Sequence, residues 1–465
     1  MVGRQGGRAA VAVSSLDRSG AAAERRVQPA GRMNLGKLSA LLALLSPAVA
    51  ACSDSSTPEP SDPTYHEMIK PILDAKCVAC HTAGGVAPFS LDDYASASAY
   101  ASASASAVAR KVMPPWPPSE DCRDYEGDRS LDAAQVEAIA RWAEQGAPEG
   151  DPAAPGEPLA VSIPTLSRVD LRLDMPEPYA PSPPPGAQDD YRCFVIPWPA
   201  SAGQTHVTGF RAVPGNDQTV HHVIAFLAGP TQVAQLQALD AAEPGPGYTC
   251  FGGAGAQIQG MLGAWAPGSL GDDLPPGIGI PIEPGSAVVM QVHYHTHGHG
   301  SAGTDQSRIE LALSTSIERP GRVIPFANPQ WRQGNMPIPA NQPDVVHAFA
   351  FDPTLITGEI EVFSAGLHMH TLGTKGTLSV RRADGTKSCM LQIDDWDFHW
   401  QGSYGFAQPE TVRRGDQLSI ECHWDNTQAN QPMIDGVPKL PAAVNWGEGT
   451  SDEMCVGFFL TAPAK

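Results

Sequence analysis

Gln291-Val292-His293-Tyr294-His295-Thr296-His297 is the stretch that decides how this chain is read. Residues two apart lie on one face of a β-strand, so neighbouring histidines from His293 to His299 could grip one metal ion without distortion. The spacing recurs in Gly366-Leu367-His368-Met369-His370-Thr371, where His368 and His370 share a face. A third cluster, Val220-His221-His222-Val223, breaks the pattern. Adjacent residues of a regular strand point to opposite faces, so His221 and His222 can share a metal only if the strand ends or bulges there. Gly203, Pro214-Gly215-Asn216-Asp217, Pro275-Pro276-Gly277 and Pro284-Gly285 punctuate the short apolar runs around these clusters. Turns every 8 to 12 residues or so are the mark of β-sandwiches.

Composition points the same way. The 465 residues are too many for one ordinary domain, and 46 Gly and 45 Pro against 17% charged residues favour short strands and turns over long surface helices. Fifty acidic and thirty basic side chains give a formal charge of −20, which repels a polyphosphate, so nucleic acid is excluded as a partner.

The amino end reads as a leader over 1–52, with Met33 as the true start. Lys37 supplies positive charge, Leu38 to Leu45 a short apolar core, and Val49-Ala50-Ala51-Cys52 small residues before a cysteine. That is a lipoprotein signal, with Cys52 as the lipid anchor that ties an exported protein, periplasmic or on the cell surface, to a membrane. The apolar stretch is shorter than the roughly 20 residues of a permanent span. Residues 53–63 read as a tether. Six cysteines, Cys122, Cys193, Cys250, Cys389, Cys422 and Cys455, remain for disulfides in an oxidising compartment, and six allow about 15 full pairings.

A small helical domain is expected over 64–150. Lys76-Cys77-Val78-Ala79-Cys80-His81 contains C-x-x-C-H, in which Cys77 and Cys80 can bond haem c covalently and His81 can ligate its iron. Lys111-Val112-Met113-Pro114-Pro115-Trp116 offers Met113 as the sixth ligand, because the two prolines forbid helix; Met68 competes. The Ala/Ser run from Ala95 to Ala107 reads as helix or loop filler. Ser130 can cap a helix with Val136, Ile139, Ala140 and Ala143 on one face and Gly146 at its end. Residues 151–165 read as an interdomain linker.

Gly449-Thr450-Ser451-Asp452-Glu453-Met454-Cys455, taken with the His368-x-His370 segment, the His221-His222 pair, Met261-Leu262-Gly263-Ala264-Trp265-Ala266-Pro267 and Leu274-Pro275-Pro276-Gly277-Ile278-Gly279, resembles the copper type II, ascorbate-dependent monooxygenases. The resemblance runs from about Arg168 to Leu460, with five motifs in the family's order. It implies two jelly-roll-like β-sandwiches, over 166–318 and 319–465, behind the helical cytochrome c domain. It implies two copper ions, one held by His221, His222 and His293 for electron transfer and one by His368, His370 and Met454 where dioxygen reacts. A thioether beside two imidazoles suits Cu(I). His293 is preferred to His295 because it follows Gln291-Val292 as the family ligand follows its strand; His295, His297 and His299 then lie at the rim. His206, His347, His399 and His423 lack a partner at metal spacing. The resemblance also implies a disulfide between Cys422 and Cys455.

Where peptide-acting relatives hold their substrate, this chain carries Gly366, Val456 and Phe458. The expected activity is therefore hydroxylation of a C–H bond in a small, non-peptide organic substrate by O2. An upstream donor would feed electrons through the haem. A non-catalytic haem and copper carrier, or a copper store, would keep the ligands without a substrate cavity.

Overall fold

The structure is a computed structural model and describes residues 62–465 except 86, 161–162, 185–187, 204, 297–302 and 435–436. Met33, Cys52, nearly all of the tether, and His297 and His299 lie outside the described residues. Among the described residues, no helix is long and apolar enough to cross a membrane.

Residues 62–150 form a small helical unit: a π-helical turn, Tyr65–Ile69, runs into α1 (Lys70–Lys76), followed by α2 (Tyr94–Ala99), α3 (Ala101–Ala109) and α4 (Ala133–Glu144). The Ala/Ser run is thus mostly helix, started where the Asp93 side chain accepts from Ser96 N. Ser130 does not cap α4. Asp132 does, since its carboxylate accepts from Gln135 N while Gln135 reaches back to Asp132 N, a reciprocal pairing Ser130 is too far upstream to make. The buried face of α4 centres on Ala138, Ile139 and Trp142, which pack against Tyr65, Ile69 and Leu73. The chain after α4 stays on this unit as far as Gly156, where a Cβ would lie 1.8 Å from Glu67 O. Residues 151–156 of the expected linker are therefore docked.

Two β-sandwiches follow. In the first, one sheet runs in the order Tyr248–Thr249, Asp189–Pro197, Ala287–His295, Val220–Ala228, Gly260–Trp265. The facing sheet runs Leu171–Asp174, Arg308–Ser314, Thr205–Val213, Ile278–Ile282, Arg319–Pro320. Between them lie Phe194, Val223, Met290, Val292 and Leu311, the inward half of the strand alternation. The second pairs Arg322–Phe326, Val456–Pro463, Ile360–His368, Ser403–Val412 with Val345–Phe351, Gln417–Trp424, Gly373–Arg381, Lys387–Ile393. Its core holds Leu367, Leu378, Ile420, Trp424 and Phe459. Ile278 of the first sandwich packs with Phe363, Leu460 and Ala462 of the second.

Three disulfides form: Cys422–Cys455, as the resemblance implied, Cys193–Cys250, and Cys122–Cys389. Such bonds belong to an oxidising compartment and so to an exported protein. The last one fastens the segment before α4 to the second sandwich. Ser119 N donates to Gln392 O and Glu126 N to Gly405 O, each at 2.8 Å, so the segment pairs with one edge of each sheet and covers backbone groups left open there. The Arg123 guanidinium lies 3.8 Å from the centre of the Phe406 ring, and Tyr125 Oη donates to Met390 O. The helical unit is thus strapped to the second sandwich upstream of the linker.

Candidate metal centres

His221, His222 and His293 come together on one sheet of the first sandwich, their ring nitrogens within 4.8 Å of one another. The adjacent pair manages this because the ladder between Val220–Ala228 and Ala287–His295 shifts register between Val220 and His222. The bulge puts two residues opposite one and turns both imidazoles to the same side. Nδ1 of His222 lies 3.4 Å from Nδ1 of His221 and 3.3 Å from Nδ1 of His293. Nitrogens held about 2.0–2.1 Å from a tetrahedral ion stand at about this separation, so His222 is spaced from each of its two partners as ligands of one metal are.

Asp189, directly across the strand pair from His295, fixes the orientation. Its Oδ1 accepts from His293 Nε2 at 2.9 Å and from His295 Nδ1 at 2.8 Å, which leaves His293 Nδ1 facing the cluster. Burial alone would raise the Asp189 carboxyl, but the two histidines hold it well below the usual carboxylate range. Tyr191 stacks on His293 with ring centres 4.1 Å apart. His295 thus stands beside the cluster as a partner of Asp189.

On the second sandwich, His368 ends the strand Ile360–His368 and His370 follows two residues on, with ring centres 5.0 Å apart. Each Nδ1 is already engaged: His368 with Gln401 Oε1 at 2.6 Å, His370 with Asp452 O at 3.1 Å. Each Nε2 is thereby left for a metal, the arrangement in which a second hydrogen bond sets tautomer and ring angle. Met454 is buried and lines the same cleft as these two histidines. Glu453 ties the group together. Its carboxylate accepts from the backbone N–H of His370, Leu372 and Met454 and from Trp424 Nε1, and burial pushes it up to about 7 against the pull of those bonds.

Burial, then the neighbouring His293 and His295, push His221 down to about 2, and burial, then His368, push His370 down to about 3. His222, His293 and His368 are lowered too, burial being the largest cause in each. Neutral imidazoles at physiological pH are the form that binds a metal. Both sets open on one cleft of about 1690 Å³, lined by His222 and His293 from one side and His368, His370 and Met454 from the other. Phe210, Met261, Trp265, Phe363, Val456 and Phe458 give it apolar wall, and Arg319, Arg322, Arg332 and Glu361 line it as well. Four histidines outside the two sets are tied elsewhere: His206 to Ser314 O, His347 to Pro337 O, His399 to Asp397 and His423 to Asp344.

In the helical unit, Cys80 N and His81 N both donate to Cys77 O, so the two cysteines and His81 sit on one tight turn after α1. Among the described residues, Cys77 and Cys80 are the cysteines outside a disulfide. His81 Nδ1 lies 3.2 Å from Phe89 O. Met113 is half-buried on the loop after α3.

The N-terminal and C-terminal domain models of the copper type II ascorbate-dependent monooxygenases match residues 179–300 and 332–463, together more than half of the chain. A stretch of 105 residues is 29% identical to DBH-like monooxygenase protein 1 of Mus musculus, spanning 22% of this chain and 15% of that relative. Among solved structures, the major capsid protein P2 of bacteriophage PM2 matches at 11% identity and a TM-score of 0.25, over 63% of this chain and 97% of that one. The VP2 particle of infectious bursal disease virus matches at 11% identity and a TM-score of 0.14, over 65% and 74%. The two matched domains fall within the two sandwiches that hold the histidine sets, and the chain belongs to the copper type II ascorbate-dependent monooxygenase family.

Proposed function

We propose that this enzyme hydroxylates a C–H bond of an apolar, non-peptide organic molecule with O2, using one copper held by His221, His222 and His293 and a second held by His368, His370 and Met454. The observation that carries this reading is that both ligand sets face a single cleft whose lining includes several large apolar side chains. An electron carrier or copper store has no use for such a cleft. Bound copper supplies one-electron redox chemistry and reactivity toward dioxygen. The protein's own groups do the rest: Asp189 and Gln401 fix the tautomers of His293 and His368, and Glu453 aligns the backbone of His370 with that of Met454. Gly366, Val456 and Phe458 border the cleft beside His368 without offering a charge to a carboxylate.

Electrons enter, in this reading, through haem c bonded to Cys77 and Cys80, with His81 and Met113 as iron ligands. The turn after α1 supports that assignment, because a carbonyl at His81 Nδ1 leaves Nε2 for the metal, the usual partition in a ligating histidine. A thioether from Met113 would raise the haem potential. Cys52 carries the lipid that holds the exported protein at a membrane, and an upstream donor reduces the haem.

Metal and haem analysis of the purified protein should return two coppers and one haem per chain. A screen of apolar compounds under isotopically labelled dioxygen should then yield a product carrying one labelled oxygen, and only with copper present. Electron flow from haem to copper with no oxygenated product from any compound would favour the carrier instead.

A further inference from the structure

Phe398 belongs to neither sandwich core, although it is a large apolar residue on a half-exposed loop. The loop joins the strands Lys387–Ile393 and Ser403–Val412 of the second sandwich, yet the ring reaches across the cleft and stacks on His221 of the first, centres 4.9 Å apart and planes 21° apart. Its other side meets His370 edge-on, with centres 6.0 Å apart at 87°. One aromatic ring therefore contacts a histidine of each set. The loop is held at both ends by the second set: Trp396 Nε1 donates to His370 O, and Gln401, whose Oε1 engages His368, donates from Nε2 to Phe398 O. The two sets line one cleft, His222 and His293 on one side of it and His368, His370 and Met454 on the other.

We infer that Phe398 is a positioning residue that partitions the two copper centres, its ring filling the space through which they would otherwise share a bridging ligand. The inference rests on the two-copper reading above. The consequence is chemical. Reduction of O2 to H2O2 takes two electrons, one from each Cu(I), and two protons from water, and it becomes easy when both metals reach one dioxygen. An apolar ring between the sets accepts no proton and ligates no metal, so it blocks that waste reaction while the protein fold keeps the centres close. A phenyl ring used only to fill a core would be buried with other apolar side chains rather than wedged between two imidazoles.

The test uses the full-length protein loaded with Cu(II), quantified by electron paramagnetic resonance before and after adding azide, a small anion that bridges copper pairs and quenches their signal. The unsubstituted protein should keep the signal of all its copper. Phe398→Ala should bind the same amount of copper but lose most of the signal with azide, and Phe398→Val, which keeps more apolar bulk should the loop need it, should lose part. Phe398→Tyr, retaining the ring, should behave as the unsubstituted protein. Full signal from both Phe398→Ala and Phe398→Val at unchanged copper content would overturn the partition alone. Fewer than two coppers in the unsubstituted protein would overturn the two-copper reading and the partition with it.

Discussion

The carboxylate of Glu453 accepts a hydrogen bond from the backbone N–H of His370 at 3.0 Å, joining the H-x-H segment to the residue that precedes Met454. Its Oε2 also receives Trp424 Nε1 and Met454 N, and its Oε1 receives Leu372 N. Glu453→Gln replaces one accepting oxygen by a donor, so at least one buried N–H loses its partner, at a cost of about 1–3 kcal/mol. Thermal unfolding should show that loss, and copper titration should show weaker binding at the second set with the first unaffected. An unchanged melting temperature would mean the carboxylate is not the tie the geometry makes it.

Asp189 plays the corresponding part at the first set, through His293 and His295. Asp189→Ala frees His293 to rotate or change tautomer, and loss of such an outer partner lowers metal affinity about 10–100-fold. Competition with a copper chelator should detect this at the first set while His368 and His370 retain their metal. Equal weakening of both sets would point to a general loss of fold instead.

How much of this was legible in the sequence depends on the range of the signal. Turn spacing and alternation are local, and they foretold a mainly β chain and the closeness of His368 and His370, although the strand ends at His368 and His370 reaches its place from beyond it. The His221-His222 pair needed a bulge that periodicity does not reveal, because it is set by the register against the strand Ala287–His295. Asp189 is 104 residues from His293 and Gln401 is 33 from His368, so neither advertised itself. The cap of α4 lies two residues beyond Ser130, because what starts this helix is the reciprocal pair of Asp132 and Gln135 rather than a lone hydroxyl. The disulfide between Cys122 and Cys389 spans 267 residues and depends on how the helical unit meets the second sandwich.

Gly366 stands where the resemblance places a substrate-holding residue of peptide-acting relatives, and the structure gives a steric reason why a side chain is not accepted there. A Cβ on Gly366 would lie 2.9 Å from Gly402 O, next to the Gln401 that engages His368. Gly366→Ala should displace that carbonyl and weaken copper binding at the second set, as read by titration. Glycine-extended peptides should give negligible turnover with the unsubstituted protein. Efficient amidation of one would restore a peptide as substrate.

The strap between Ser119 and Glu126 bears on how electrons arrive. It fastens the helical unit to the second sandwich through Cys122–Cys389, while Arg129 Nη1 lies 3.4 Å from Gly268 O on the first. If haem in that unit feeds the coppers, its delivery rate depends on this docking more than on the linker that follows Gly156. Replacing both Cys122 and Cys389 by Ser removes a crosslink of the kind that stabilises by about 2–5 kcal/mol. The docked segment should then fray and become open to limited proteolysis. Copper content should stay at that of the unsubstituted protein, since neither cysteine is near a ligand set in the chain. Rapid mixing of the reduced haem unit with oxidised coppers should show slower haem reoxidation in the double variant. An unchanged rate, with proteolysis confirming that the strap is loose, would mean the coppers draw their electrons from another donor.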